Sequence, residues 1–151
     1  MKRILAVAAS VLFVMVLCGS AFAQDRATCD EAKTNLAKAV EFAGKHSKEE
    51  TIKAFNDKNS PFNNYKDLYV FIFDFDVKNL AHGADPKLVG KNLRDLKDSD
   101  GKYFMREMIN KGKSGKGQVE YKWKNKAGKT EPKISYVQKV KDMVIGCGCY
   151  K

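Results

Sequence analysis

The sequence is sparing with the residues that mark specialised architectures. Among 151 residues there are three prolines, eleven glycines, two histidines and one tryptophan, which excludes a collagen-like or proline-rich low-complexity chain. His46 and His82 stand too far apart for metal-ligand spacing. No histidine or third close cysteine joins Cys147 and Cys149 to complete a tetrahedral site, so neither a metal nor a cofactor is expected. After residue 23 no stretch approaches the roughly 18 consecutive apolar residues of a membrane span. Arginine is absent between Lys111 and Lys141, where lysines are scattered among strand-like alternations. Lysine in that pattern is a solvated face that keeps sheet edges soluble, not a nucleic-acid-gripping arm.

Hydrophobic residues make up 44% of the chain and aromatic residues 11%, enough for the core of one domain. Residues 1–23 read as a cleaved export signal: Lys2 and Arg3, an apolar run from Ile4 to Leu17, then Ala21 and Ala23 around Phe22. Cys18 could anchor a lipid instead, but bulky Leu17 stands before it where lipoprotein processing wants a small residue. The exported domain is therefore expected to span residues 24–151, starting at Gln24. Removing Lys2 and Arg3 from the 28 cationic residues leaves 26 against 18 acidic ones, a net charge of +8. That charge permits nucleic acid, acidic surfaces or small anions as partners, and export removes nucleic acid.

Cys29, Cys147 and Cys149 survive processing, and an oxidising compartment makes a disulfide the default with one thiol left over. Cys147 and Cys149 leave the same face of a strand with Cα atoms near the upper limit for bridging. Cys29 lies near one terminus and the other two near the other, and the termini of one domain often lie close. The expected bridge is Cys29–Cys147, with Cys149 as the alternate partner.

Apolar positions at Cys29, Ala32, Leu36, Ala39, Val40 and Ala43 predict an amphipathic helix from Cys29 to about His46. Ser47 and Glu50 have capping-box spacing for a short second helix carrying Ile52 and Phe55. After a loop over residues 56–64, the run within Tyr65–Phe75 predicts a strand buried on both faces, returning through Asp74–Asn79 to a second strand at Leu80–His82. Asp98 and Asp100 are plausible caps for a helix over Gly101–Lys111 with Phe104 and Met108 inward. Strands follow at Gly117–Trp123, Ile134–Val140 and Met143–Tyr150. Helices set apart from an antiparallel run argue an α+β fold with a five-stranded sheet.

Two motifs imitate chemistry. Asp74-Phe75-Asp76 has the look of an aspartyl-phosphate nucleophile, but the chain turns at once into a hairpin, which suits turn aspartates better. Asp98 to Glu107 imitates half of a calcium loop, with Leu96 where the first carboxylate belongs.

Tyr69-Val-Phe-Ile-Phe-Asp74, Leu80-Ala-His82, Pro86-Lys-Leu-Val-Gly-Lys-Asn-Leu93, Asp98-Ser-Asp-Gly-Lys-Tyr-Phe104, Val119-Glu-Tyr-Lys-Trp123 and Glu131-Pro-Lys-Ile-Ser-Tyr136 together resemble the single Cache domain family, type 2. The resemblance runs from about Cys29 to Tyr150. It implies a PAS-like antiparallel sheet with a long N-terminal helix and a helix-loop cover over a small pocket. It also implies an extracytoplasmic, non-enzymatic sensor domain for a short organic acid such as acetate, propionate, pyruvate or lactate, serving chemotaxis or signal transduction. No second membrane helix follows Tyr150, so the expectation is a free-standing periplasmic member, with a membrane receptor or kinase as partner.

By that resemblance the ligand-binding candidates are Tyr69, Phe71, His82, Tyr103, Tyr121, Trp123, Lys133 and Tyr136. His82 or a lysine would supply charge-assisted hydrogen bonds, and the tyrosine hydroxyls would complete the shell. The competing readings are a thiol or redox protein using Cys147 and Cys149, and a structural interaction module. An intact-mass measurement on the exported protein should match Gln24 to Lys151 without acyl chains; a mass carrying acyl chains on Cys18 refutes the cleavage.

Overall fold

The computed structural model describes residues 25–151. The expected export signal and the Cys18 alternative lie outside the described residues. Helix α1 (Cys29–Lys45) starts at a reciprocal capping box: the Thr28 hydroxyl accepts from the Glu31 N–H, and the Glu31 carboxylate accepts from the Thr28 N–H. Ser47 and Glu50 cap α2 (Lys48–Asn56) in the same way, as their spacing predicts.

The strands are β1 (Val70–Asp74), β2 (Asn79–His82), β3 (Lys116–Lys124), β4 (Thr130–Val140) and β5 (Met143–Tyr150). They form one antiparallel sheet in the order β2-β1-β5-β4-β3, the α+β arrangement expected from the sequence. The last strand thus occupies the centre. Its odd positions Met143, Ile145, Cys147 and Cys149 join Ala32, Leu36, Ala39 and Ala43 of α1 in one core cluster. Val144 on the even side joins a second cluster with Phe71, Phe73, Val119, Val137 and the inner face of α3 (Phe104–Lys113). β1 is buried on both faces, as predicted, with Val70 and Ile72 toward α1 and Phe71 and Phe73 toward α3. Among the described residues no helix is long and apolar enough to cross a membrane.

Several boundaries differ from expectation for local reasons. Tyr65–Leu68 is a turn, closed by the Leu68 N–H on the Tyr65 carbonyl, so β1 starts only at Val70. β4 reaches back through Pro132 to Thr130. Pro132 is tolerated because it lies beyond the β4–β5 ladder, which begins at Lys133 opposite Tyr150. The two aspartates do not cap α3, which begins after Tyr103 without a side-chain cap. Asp98 instead accepts from the backbone N–H groups of Asp100 and Lys102 in its own loop and of Lys122 on the edge strand β3. Its carboxylate is occupied in fastening the 83–103 segment to the sheet. Asp74 accepts from Asp76 and Lys78 N–H groups, the turn role expected of it.

The disulfide joins Cys29 to Cys149, the alternate partner, with Cα atoms 5.1 Å apart, and Cys147 is a buried free thiol. The pairing with Cys149 in place of Cys147 has a simple geometric cause. α1 runs antiparallel along β5, so its first residue meets the strand's far end, while Asn35, six residues and about 9 Å further on, lies over Cys147. The Asn35 side-chain amide donates to the Cys147 sulfur at 3.6 Å. Cys149→Ser should therefore lower unfolding free energy by about 5 kcal/mol on a chain-entropy argument, and Cys147→Ser should leave the bridge intact. Urea titration with and without reductant separates the two; a Cys29–Cys147 peptide in a non-reduced digest contradicts this pairing.

Candidate functional site

The site grows out of strand parity. On the face turned away from α1, β1 leads in with Tyr69 and continues with Phe71 and Phe73, β3 carries Val119, Tyr121 and Trp123, and β4 carries Lys133, Ser135 and Val137. β5 contributes Gly146, Gly148 and Tyr150 there, and the two glycines create the floor. A Cβ on Gly146 would lie 2.2 Å from the Phe71 ring, and one on Gly148 would lie 2.4 Å from the Ser135 hydroxyl and 2.9 Å from Cε of Lys133. Without side chains on β5, the neighbours' side chains lie across it.

The cover is the 83–103 segment with α3. Leu88, Leu93 and Leu96 from the segment and Phe104, Met105 and Met108 from the helix close over the aromatic floor. The space left is in two parts. An inner apolar chamber holds only about 20 Å³, room for about one water. An outer cleft of about 630 Å³ opens between β3 and the cover, rimmed by Lys97, Lys122, Lys124, Lys126, Asp67 and Asp85. Tyr69, His82, Leu88 and Trp123 line both parts and form the partition between them.

The polar groups gather at that partition. Lys133 is 1% exposed, and its ammonium donates to the Tyr69 hydroxyl at 2.6 Å and sits 3.9 and 4.7 Å from the Tyr69 and Tyr150 ring centroids. No carboxylate among the described residues lies within ion-pairing distance of it. Burial pulls its pKa down to about 7. Burial, reinforced by the Lys133 charge, holds His82 down at about 4. His82 Nδ1 accepts from the Asp85 N–H at 2.9 Å, which puts the proton of the neutral ring on Nε2 as a donor. The Tyr121 and Ser135 hydroxyls are 2.9 Å apart. Desolvation pushes Tyr69 and Tyr121 far above the usual phenol value and Tyr150 up to about 12, so all three stay neutral donors.

Of the residues singled out from the sequence, Tyr69, Phe71, His82, Tyr121 and Trp123 come together on the chamber wall. Lys133 lines neither part directly; it reaches them through the Tyr69 hydroxyl. Tyr136 points to the opposite side of the sheet, against the α1 cluster, with the Lys33 ammonium 5.2 Å from its ring centroid. Tyr103 is 37% exposed outside the cover, with the Arg106 guanidinium 4.0 Å from its ring centroid. Both leave the candidate site. The sequence reading missed Tyr150, Ser135 and the leucines of the cover. The Gly146-Cys-Gly148-Cys-Tyr150 spacing held the signal, since it puts both glycines and the tyrosine on one face.

The pairing of Cys147 with Cys149 as a redox couple does not survive. Cys149 is bonded to Cys29, and the Cys147 thiol is buried with its pKa pushed up by desolvation. Among the described residues no group of three acidic, histidine or cysteine side chains could hold a metal.

A five-stranded antiparallel sheet with a helix on one face and, on the other, a cleft under a helix-loop cover defines a small-molecule sensor fold of the Cache and PAS type. The chain belongs to the Single Cache domain 2 family, whose pattern matches residues 6–151. It is 36% identical over 88 residues to the sensor histidine kinase MctS of Rhizobium johnstonii, an alignment covering 56% of this chain and 19% of that protein. It is 38% identical over 85 residues to the methyl-accepting chemotaxis protein CtpM of Pseudomonas aeruginosa, covering 54% and 15%. The chain thus spans less than a fifth of the length of these curated relatives. Among solved structures, a methyl-accepting chemotaxis protein from Vibrio parahaemolyticus superposes with a TM-score of 0.69 at 25% identity, covering 80% of this chain and 86% of that one. A second, described as the structural basis for carboxylic acid recognition by a Cache chemosensory domain, gives 0.60 at 29% identity, covering 81% and 87%. Cache domains are extracytoplasmic sensory modules of chemoreceptors and sensor kinases, and this chain has the sensor domain of that family.

The buried neutral imidazole makes a pH prediction. Because the folded His82 pKa, about 4, lies below its ordinary 6.5, the unfolded chain takes up the proton first, and stability is lost as pH falls through that window. Urea midpoints should drop between about pH 7 and pH 5, and His82→Gln should remove part of that drop. The window lies above the range in which Glu31 and Glu131, held at about 2 chiefly by hydrogen bonds from Lys66 and Arg26, begin to protonate. An identical slope in the variant refutes the assignment.

Proposed function

We propose that the domain binds a short monocarboxylate, of the acetate, propionate, pyruvate or lactate class, at the partition between chamber and cleft. It passes that information to chemotaxis or other signalling machinery through a membrane receptor or kinase. Export after Ala23 belongs to the same reading. The observation that carries it is a buried lysine that has no carboxylate partner among the described residues and is joined through the Tyr69 hydroxyl to a wall of neutral donors. Such a wall suits an anion with a small apolar tail: Tyr69 O–H and His82 Nε2–H face the carboxylate, and Phe71, Phe104 and Trp123 meet the carbon chain. The likeness to a carboxylic-acid-recognising Cache domain supports the same ligand class.

The inner chamber, with room for about one water, is smaller than any of these acids. Binding therefore requires Leu88, Leu96 or Trp123 to move outward. All three sit on the cover or the edge strand, where movement costs least. The ordering of the cover around the acid is the event a downstream partner would read.

A thermal-shift panel of acetate, propionate, pyruvate and lactate tests the reading. A bound acid at about 100 times its dissociation constant adds about 2.7 kcal/mol of stability. Tyr69→Phe and His82→Ala should each weaken the best acid by about tenfold or more, the loss of one charge-assisted hydrogen bond. No shift with any acid overturns the proposal.

A further inference from the structure

We propose that the site takes up a proton together with its carboxylate, and that Lys133 is the group that carries it. The inference rests on the carboxylate reading above and concerns how that site is regulated. Lys133 is a positioning residue here: it acts on the ligand through the Tyr69 hydroxyl and does not itself line the chamber.

The geometry leads there in three steps. A lysine buried to 1% exposure between two tyrosine rings has lost its hydration, and the aromatic faces and one hydroxyl replace it only in part. No carboxylate among the described residues is paired with it, so the site without a ligand favours the uncharged amine. An anion held by Tyr69 then stands one hydroxyl away from Nζ, and the Lys133–Tyr69–carboxylate chain is strongest when Nζ is protonated. Written as a balanced step, the neutral site, one carboxylate anion and one proton from solvent give an overall neutral complex, and all three separate on release.

The surroundings leave Lys133 as the group that titrates near neutrality. It faces Tyr69 just before β1, Tyr121 on β3 and Tyr150 on β5, whose hydroxyls stay protonated well past that range. The Cys147 thiol on the other side of β5 is pushed up by burial, and His82 from β2 is held down at about 4. The Asp67 carboxylate, from the turn before β1, accepts from the Ala27 N–H, and its charge favours the protonated lysine. On Lys133's own strand, Glu131 is occupied by Arg26, Asn125 and Lys129. On its outer side Lys133 also borders a groove with Asp98, Asp100, Lys102, Glu120, Lys122 and Lys151, charges of both signs on the solvent side. Burial places the free Lys133 near 7, and the anion raises it.

Titration calorimetry of the protein with acetate and propionate, in buffers of different ionisation enthalpy between about pH 6 and pH 9, tests this. Uptake should approach about one proton per acid near pH 8.5, and affinity should fall by up to about tenfold per pH unit above pH 7. Lys133→Arg, permanently charged, should bind with no proton uptake and a flat pH profile, and Lys133→Met should bind more weakly with an equally flat one. The wild-type buffer dependence stands by itself if either variant fails to fold. Binding with no proton uptake at pH 8.5 overturns the proton linkage and leaves the carboxylate reading standing. Failure of both acids to bind from pH 6 to 9 overturns the linkage, and the ligand class falls with it once the wider panel also fails.

Discussion

β5 has two incompatible tasks, and the rest of the structure follows from how its eight residues divide them. It is buried along its whole length at the centre of the sheet. Its odd positions must be large enough to pack α1, and Met143, Ile145 and the two cysteines do so against a stripe of alanines that lets the helix come close. Its even positions must be small enough to leave a cavity, which Gly146 and Gly148 achieve by leaving the side chain out. Glycine at two of eight positions weakens a strand intrinsically. Pairing with β4 along its whole length and with β1 over Met143 to Cys147, with the Cys29–Cys149 bridge at its end, offsets that weakness.

The same strand explains why the two faces differ in chemistry. Toward α1 the contacts are aliphatic and close-packed, a surface for holding shape. Toward α3 the floor is aromatic and hydroxylated, with a buried amine under it and a cover fastened by Asp98 to the edge strand. Burying Lys133 without a counter-ion costs stability that a hydrophobic residue of similar size would retain. On the carboxylate reading proposed above, the anion that enters the cavity completes the electrostatics of that lysine. His82, desolvated and close to the same cation, keeps its ring neutral and its Nε2 a donor.

Much of the fold was legible because its determinants are local. The α1 stripe from Ala32 to Ala43, the capping boxes at Thr28 and Ser47, and the double-sided burial of β1 all follow from spacing and residue type. The candidate site was legible in part. Tyr69 with Phe71 and Tyr121 with Trp123 share faces by parity, and those faces meet. Tyr136 failed because parity puts it opposite Lys133 and Ser135 on β4, and which face looks at the cavity depends on where α1 packs. Tyr103 failed because a loop has no parity to read. Asp98 and Asp100 carried a capping signal, and tertiary hydrogen bonds to Lys122 and within the loop outcompeted it.

By itself the sequence determined the α+β class, the helices with their caps, the two-sided central strands and a basic chain whose blocks match one family of sensors. Those features rest on periodicity and on interactions within a few residues, which survive without knowing what lies across the sheet. The tertiary structure alone decided that β5 lies between β1 and β4, that Cys149 meets Cys29, and that Lys133 is buried behind Tyr69 with no carboxylate among the described residues paired to it. Each of these depends on the direction in which α1 crosses β5 and on the side chains that β5 omits, and neither is a property of any short stretch of chain.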